Sequence, residues 1–387
     1  GGHRHCFGRR RQSARRQTHA GLAHLVLGRL RSDLLSLQNI RMWEKNPDTY
    51  SSGVTGSVFS IMSRKFAPEP DRLKSVIARE KQIPAALAEG RTNLKNPPRI
   101  YTEVALEQIP GIIRFFQKDV PAAFPNVQDP TLLEEFHKTN GSVIDALGKY
   151  ETFLKTELLP RSKGDFRIGA DNYRKKLAYE EMVDTPLAEL LKIGYANLRE
   201  NQRAMKEAAE RIDAKRDPSA ILSDLMKDHP SPAELISSVT NTLHGLRDFI
   251  EQHHIVGIPS QVLPIVEETP PFERALTTAS MDTPRPYEKV ATEAFFNVTP
   301  PEPDWPKEQI EEHMQSFSRA ELDNLTIHEA YPGHYVQFLW VPQAPSMAKK
   351  LLGAGNNVEG WAHYCEQMML DEGYGNGDPK LKLAQMA

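Results

Sequence analysis

Apolar positions from Leu34 to Ile255 recur at helical spacing. The clearest segment starts at Ser231-Pro232-Ala233-Glu234, a capping box with proline at the first helical position, and continues through Leu235, Val239, Leu243, Leu246 and Ile250. A second helix is expected after Thr185-Pro186, carrying Leu187, Leu190, Leu191, Ile193, Tyr195 and Leu198. Leu133 to Leu158 reads as one or two more. Between Ile255 and Trp305 the texture changes to proline-rich extended chain, with Ile258-Pro259, Leu263-Pro264 and Thr269-Pro270-Pro271. Within it, Ala291 to Thr299 is the best strand, closed by Pro300-Pro301. Helical spacing then returns. Ser318-Arg319-Ala320-Glu321 opens a helix with Leu322, Leu325 and Ala330 near its buried stripe, and Asn356 or Asn357 caps another that ends at Gly373. The expected fold is mainly α, with a small β-element before the helix that begins at Arg319.

That helix runs into His328-Glu329-Ala330-Tyr331-Pro332-Gly333-His334. Two histidines with an acid beside the first suggest a hydrolytic zinc site, but the usual helical version spaces its ligands at i and i+4. At about 100° per residue, i and i+6 puts the second ring roughly 120° from the first. Pro332 removes the hydrogen bond to the His328 carbonyl and clashes there, while Gly333 tolerates whatever turn follows. Two outcomes are open. A Pro-Gly bulge returns His334 to the face of His328, or the helix stops and leaves His334 on a surface loop. Downstream, Glu359, His363 and Glu366 fall at i, i+4 and i+7 on one face of a helix that also carries Trp361, Tyr364, Cys365, Met368 and Met369. Acids and a histidine in so apolar a helix need partners, and a metal is one.

These stretches resemble the bacterial domain-of-unknown-function family 885, regarded as zinc metallopeptidases. The likeness rests on Leu325-Thr326-Ile327-His328-Glu329-Ala330-Tyr331-Pro332-Gly333-His334 and on Glu359-Gly360-Trp361-Ala362 with Tyr364 and Glu366. Weaker echoes occur in Trp43-Glu44-Lys45-Asn46-Pro47-Asp48 and from Asn93 to Glu103, so the resemblance runs from about residue 34 to the end. That family is similar in plan to helical gluzincins such as the thimet-oligopeptidase and angiotensin-converting-enzyme groups. The resemblance implies one Zn2+ held by His328, His334 and Glu359, with Glu329 as general base on a zinc-activated water and a peptide as substrate. His363 stands where leucine is expected. His363 and Glu366 are candidates to orient a ligand from behind. Gluzincins commonly place an edge strand before the metal-binding helix, so Phe295, Phe296 and Asn297 are expected to receive substrate by main-chain pairing.

Composition adds limits. The 387 residues are 39% hydrophobic and 26% charged, an ordinary globular balance large enough for one big domain or two. There is no run of 18 apolar residues and hence no membrane span. Cys6 and Cys365 give no disulfide framework, and Cys365 reads as a structural thiol rather than a nucleophile. Adjacent His253 and His254 point apart on a helix and read as surface residues. The first 32 residues hold eight arginines, no lysine and no acid; with a net charge of −3 overall, the remainder carries −11. Such an arm could bind nucleic acid or an anionic membrane, but the absence of lysine favours out-of-frame translation, and neither partner is expected.

Three segments follow: 1–33, unstructured or foreign to the gene; 34–255, helical; and 256–387, the zinc-site region, expected to be truncated at its end. Truncation favours an alternative, a zinc-binding but catalytically weak or inactive module, and a hydrolase of non-peptide amides is the third reading. Localisation is open, cytoplasmic or periplasmic if a leader was lost, as is the oligomeric state.

Overall fold

The computed structural model describes residues 21–387; Cys6 and most of the arginine-rich stretch lie outside them. Residues 21–35 are helical, so the expectation of an unstructured segment fails for residues 21–33. The helix is held because Gly28 lets the backbone approach the Tyr179 carbonyl and Ser32 Oγ donates to Glu180 at 2.5 Å. Beyond it, the helices Asp48–Ser63, Glu69–Glu80, Ile83–Asn93, Arg99–Arg114 and Pro130–Phe153 enclose one apolar core. Pro130–Phe153 starts where the Asp129 carboxylate accepts from the Thr131 and Leu132 amides and runs on through a π turn, Leu154–Leu158. The segment expected as one or two helices is thus a single rod.

A second core gathers Leu235, Val239, Leu243, Leu246 and Ile250 with Phe296, Val298, Phe317, Ile327, Tyr331, Cys365 and Met369. The helix Leu235–His253 therefore packs with the candidate site, not with the earlier helices, and packing shifts the expected boundary at 255 upstream. Its capping box forms: the Glu234 carboxylate accepts from the Ser231 amide at 3.1 Å and hydroxyl at 2.7 Å. His253 and His254 at its end are exposed. Leu187–Asp213 forms as expected, but its apolar stripe stays open to solvent at Leu191, Ile193, Tyr195 and Leu198. Only its later part is covered by the described residues, where Ala208 and Ala209 meet Ile221 and Leu383.

The proline-rich stretch supplies three short strands, β1 (Ile265–Glu268), β2 (Ala279–Asp282) and β3 (Phe295–Val298). The order is β1-β3-β2, with β3 parallel to β1 and antiparallel to β2. The expected strand exists, but it is not an edge. Both sides of β3 are already hydrogen-bonded, Phe296 and Val298 are fully buried, and Asn297 is nearly so. Phe295, Phe296 and Asn297 therefore cannot receive a peptide by main-chain pairing. Among the described residues the free edges belong to β1 and β2. β2 packs on the helix Arg319–Glu329 and is tied to the first core by Arg64, which meets Asp282 at 2.7 Å. The fold is mainly α with one small sheet.

Candidate metal centre

Ser318 starts the motif helix, its hydroxyl accepting from the Glu321 amide at 3.3 Å. The reciprocal half of the capping box does not form. Glu321 turns inward instead, where burial, with the charge of Glu366, pushes its carboxyl up to about 7. The helix ends at Glu329, and a new one, His334–Trp340, starts five residues later. The connection is tight. Tyr331 N–H donates to Thr326 O at 3.2 Å and Gly333 N–H to Ile327 O at 2.9 Å. A Cβ on Gly333 would lie 1.8 Å from the His328 carbonyl oxygen, so only glycine fits. Trp361, on the helix Gly355–Asp371, donates its indole N–H to the Pro332 carbonyl at 3.0 Å and pins the turn from outside.

The result is the bulge, not the surface loop. The imidazoles of His328 and His334 stand 4.8 Å apart at 88°. Glu359 Oε2 lies 3.5 Å from His328 Nε2 and 3.4 Å from His334 Nε2. Three donor atoms of His328, His334 and Glu359 sit within 4.8 Å of one another, a set whose chemistry suits zinc. His334 is buried, its Nδ1 without a hydrogen-bond partner. The nearby Gln337 amide favours its charged form without meeting it in hydrogen-bond geometry. Glu359 is largely exposed, which leaves one side of the triad open.

Behind the triad, Glu366 Oε1 accepts from His328 Nδ1 at 2.7 Å and contacts His363 Nδ1 at 3.2 Å. His328 Nε2 is thereby aimed at Glu359, and His363, itself exposed, closes the outer side of Glu366. Burial pulls the His328 imidazole down, but the Glu366 hydrogen bond and the charges of Glu329, Glu366 and Glu359 together outweigh it, for a net upward shift. Burial also lowers His334, with the charge of His328 adding to it. Glu329 is nearly buried, and burial raises it to about 7; the charge of His328 opposes the rise and that of Glu359 adds to it. Cys365 is fully enclosed, its thiol pushed up to about 12 by burial, which suits a structural residue.

The helix carrying Glu359 is capped by neither Asn356 nor Asn357. Glu181, from 175 residues upstream, accepts from the Asn356 amide at 2.7 Å. Sequence reasoning had no signal for this partner. Glu321 was findable, because it lies seven residues before His328 on the same helical face. The role of the Trp361 indole was legible only as an apolar ring.

The family profile described as "Bacterial protein of unknown function (DUF885)" matches residues 7–387. The chain belongs to this family. The match begins inside the arginine-rich stretch rather than near residue 34. Among solved structures, "a putative lipoprotein of unknown function" from Shewanella oneidensis is 29% identical with a TM-score of 0.68, covering 94% of this chain and 67% of its own. "The putative lipoprotein" from Colwellia psychrerythraea is 15% identical with a TM-score of 0.64, covering 82% of this chain and 58% of its own; at that identity the likeness speaks for the fold alone. The family member thus spans about two thirds or less of the length of these two relatives. No curated protein matches, and no helix among the described residues is long and apolar enough to cross a membrane.

Proposed function

We infer that this chain is the metal-binding part of a helical, gluzincin-like zinc peptidase, with His328, His334 and Glu359 as ligands and Glu329 as the proton-handling group. One observation carries the reading: two histidine Nε2 atoms and a carboxylate oxygen converge on one point from three separate turns of helix. A surface cluster of acids and histidines has no need of the Gly333 turn, nor of a carboxylate lodged behind His328. A zinc ion held there would supply a Lewis acid able to polarise a carbonyl and bring the ionisation of water to about pH 7. Glu329 is the residue that takes and returns the proton. Burial beside His328 strengthens the hold of its carboxyl on a proton, as a group that both accepts and releases one requires. Glu366 keeps Nδ1 of His328 protonated, so that Nε2 presents its lone pair.

In this reading β2 takes over the role expected of β3. Thr299 N–H donates to Thr278 O at 2.8 Å, so the alternation of the ladder leaves the Met281 N–H and C=O pointing to the open edge. An extended peptide adding there would lie beside the motif helix. The lipoprotein description of the Shewanella oneidensis relative favours a location outside the cytoplasm.

The test is metal analysis combined with cleavage of a peptide library by wild type and Glu329→Gln. One zinc per chain in both proteins, with cleavage lost in the variant, is the expected result. A wild type that binds no zinc ends the proposal.

A further inference from the structure

Beside the triad a cavity of about 550 Å3 opens under β2. Its walls include Met281 and Asp282 from β2, Phe338 one turn beyond His334, and Val358 immediately before Glu359. The Phe338 ring lies flat on that of His334, centroids 5.7 Å apart and 7° from parallel, so the cavity and the triad are contiguous. Arg285, Lys349 and Lys350 also line it. None of these three cations has a carboxylate within 4.0 Å among the described residues; Lys350 lies over the Tyr287 ring instead, 5.4 Å from its centroid. The acid of the wall, Asp282, already has the Arg64 guanidinium at 2.7 Å. The nearby Glu181 is committed to the Asn356 amide. Three cations without a carboxylate partner thus line partly apolar walls, a setting that draws a bound anion.

We propose that this cavity receives a carboxylate of the substrate, so that the site acts on peptides with an acidic side chain, or a free C-terminal carboxylate, close to the scissile bond. The assignment rests on the peptidase reading, and the two are separable by experiment. Oligo-alanine peptides carrying Asp or Asn at each position in turn, each as free acid and as C-terminal amide, are titrated calorimetrically into zinc-loaded Glu329→Gln. The same peptides are offered to wild type for cleavage.

One carboxylate-bearing form is expected to bind at least tenfold more tightly than its neutral counterpart. The preference should weaken with added salt and vanish when Arg285, Lys349 and Lys350 are all replaced by Gln. A preference for Asp over Asn identifies a side-chain carboxylate; a preference for acid over amide identifies the terminus. Equal affinities, no binding, or a preference that survives the triple replacement overturns the assignment. Indiscriminate cleavage by wild type alongside equal affinities leaves the peptidase reading standing without it. Selective binding without any cleavage retains the carboxylate site and removes the peptidase.

Discussion

Glu366 offers the sharpest test of how the site is held. Its carboxylate oxygen lies 2.7 Å from His328 Nδ1, and both side chains are shielded, 11% and 18% exposed. A bond that short to an ionised acceptor belongs to the stronger, charge-assisted class. Replacing Glu366 with Ala removes the acceptor and leaves His328 free to rotate or change tautomer. Losing such a partner costs roughly 10–100-fold in metal affinity, or about 1.4–2.7 kcal/mol. Glu366→Gln keeps an acceptor for Nδ1–H but loses the charge; a neutral bond is about half as strong, so the loss should stay below about tenfold. Stability without metal should fall by about 1–3 kcal/mol, because the shielded His328 Nδ1–H loses its acceptor, offset in part by relief of the repulsion between Glu366 and Glu321. The assay is zinc titration against a chromogenic chelator at fixed pH, paired with thermal melts in excess chelator. Wild-type zinc affinity in Glu366→Ala would refute the reasoning.

Three further outcomes are expected. Gly333→Ala places a methyl 1.8 Å and 2.4 Å from two carbonyl oxygens, so zinc affinity should fall beyond the roughly 100-fold ceiling of an outer-sphere change; Gly360→Ala, with nothing within 4 Å, should bind zinc normally. Glu80 is buried by the first core, accepting from Thr139 at 2.5 Å and Asn140 at 3.1 Å, and burial raises its carboxyl from 4.5 to about 7. The folded state therefore holds this proton more tightly than the unfolded one, so stability present below pH 4.5 declines as pH rises toward 7, by about 3 kcal/mol in all. Glu80→Gln should flatten that slope in denaturant melts and be the more stable protein at pH 8, since Thr139 can turn its hydroxyl to the Phe136 carbonyl; an unchanged slope counts against it. Finally, Met281→Pro should raise KM without unfolding, whereas Asn297→Pro, in the central strand, should unfold the sheet; wild-type kinetics in Met281→Pro would remove β2 as the substrate edge.

The parts of the fold legible in the sequence were those governed by neighbours along the chain. Ser231, Pro232 and Glu234 are within one turn of each other, and their helix begins where they place it. Pro332 and Gly333 announced a break between the histidines, although chain-local reasoning left both outcomes of that break open. Packing decided between them, through the close approach of Gly333 to the His328 carbonyl and the bond from the Trp361 indole. What the sequence hid was long-range pairing. The run from Ala291 to Thr299 was readable as a strand, but whether it lay at the edge or the centre depended on β1 and β2, short segments with little alternation of their own. The same limit explains Asn356: a plausible local cap was displaced by a carboxylate that no local rule could connect to it. On Leu187–Asp213 the periodicity was real, yet its first turns are bare among the described residues, so helical spacing identified the element and not its burial.

The contact between Glu181 and the Asn356 amide links the middle of the chain to its C-terminal part. The helix that delivers Glu359 begins on a group belonging to a segment folded far earlier in the sequence, so its first turn is secured only after the chain has closed a very large loop. A metal bound at Glu359 is then a reporter of topology as much as of chemistry: loosening the segment around Glu181 should release it before either histidine has moved. A Glu181→Ala variant would keep all three donor groups and lose the anchor of one, and its weaker hold on the ion would measure how far this centre depends on that distant contact.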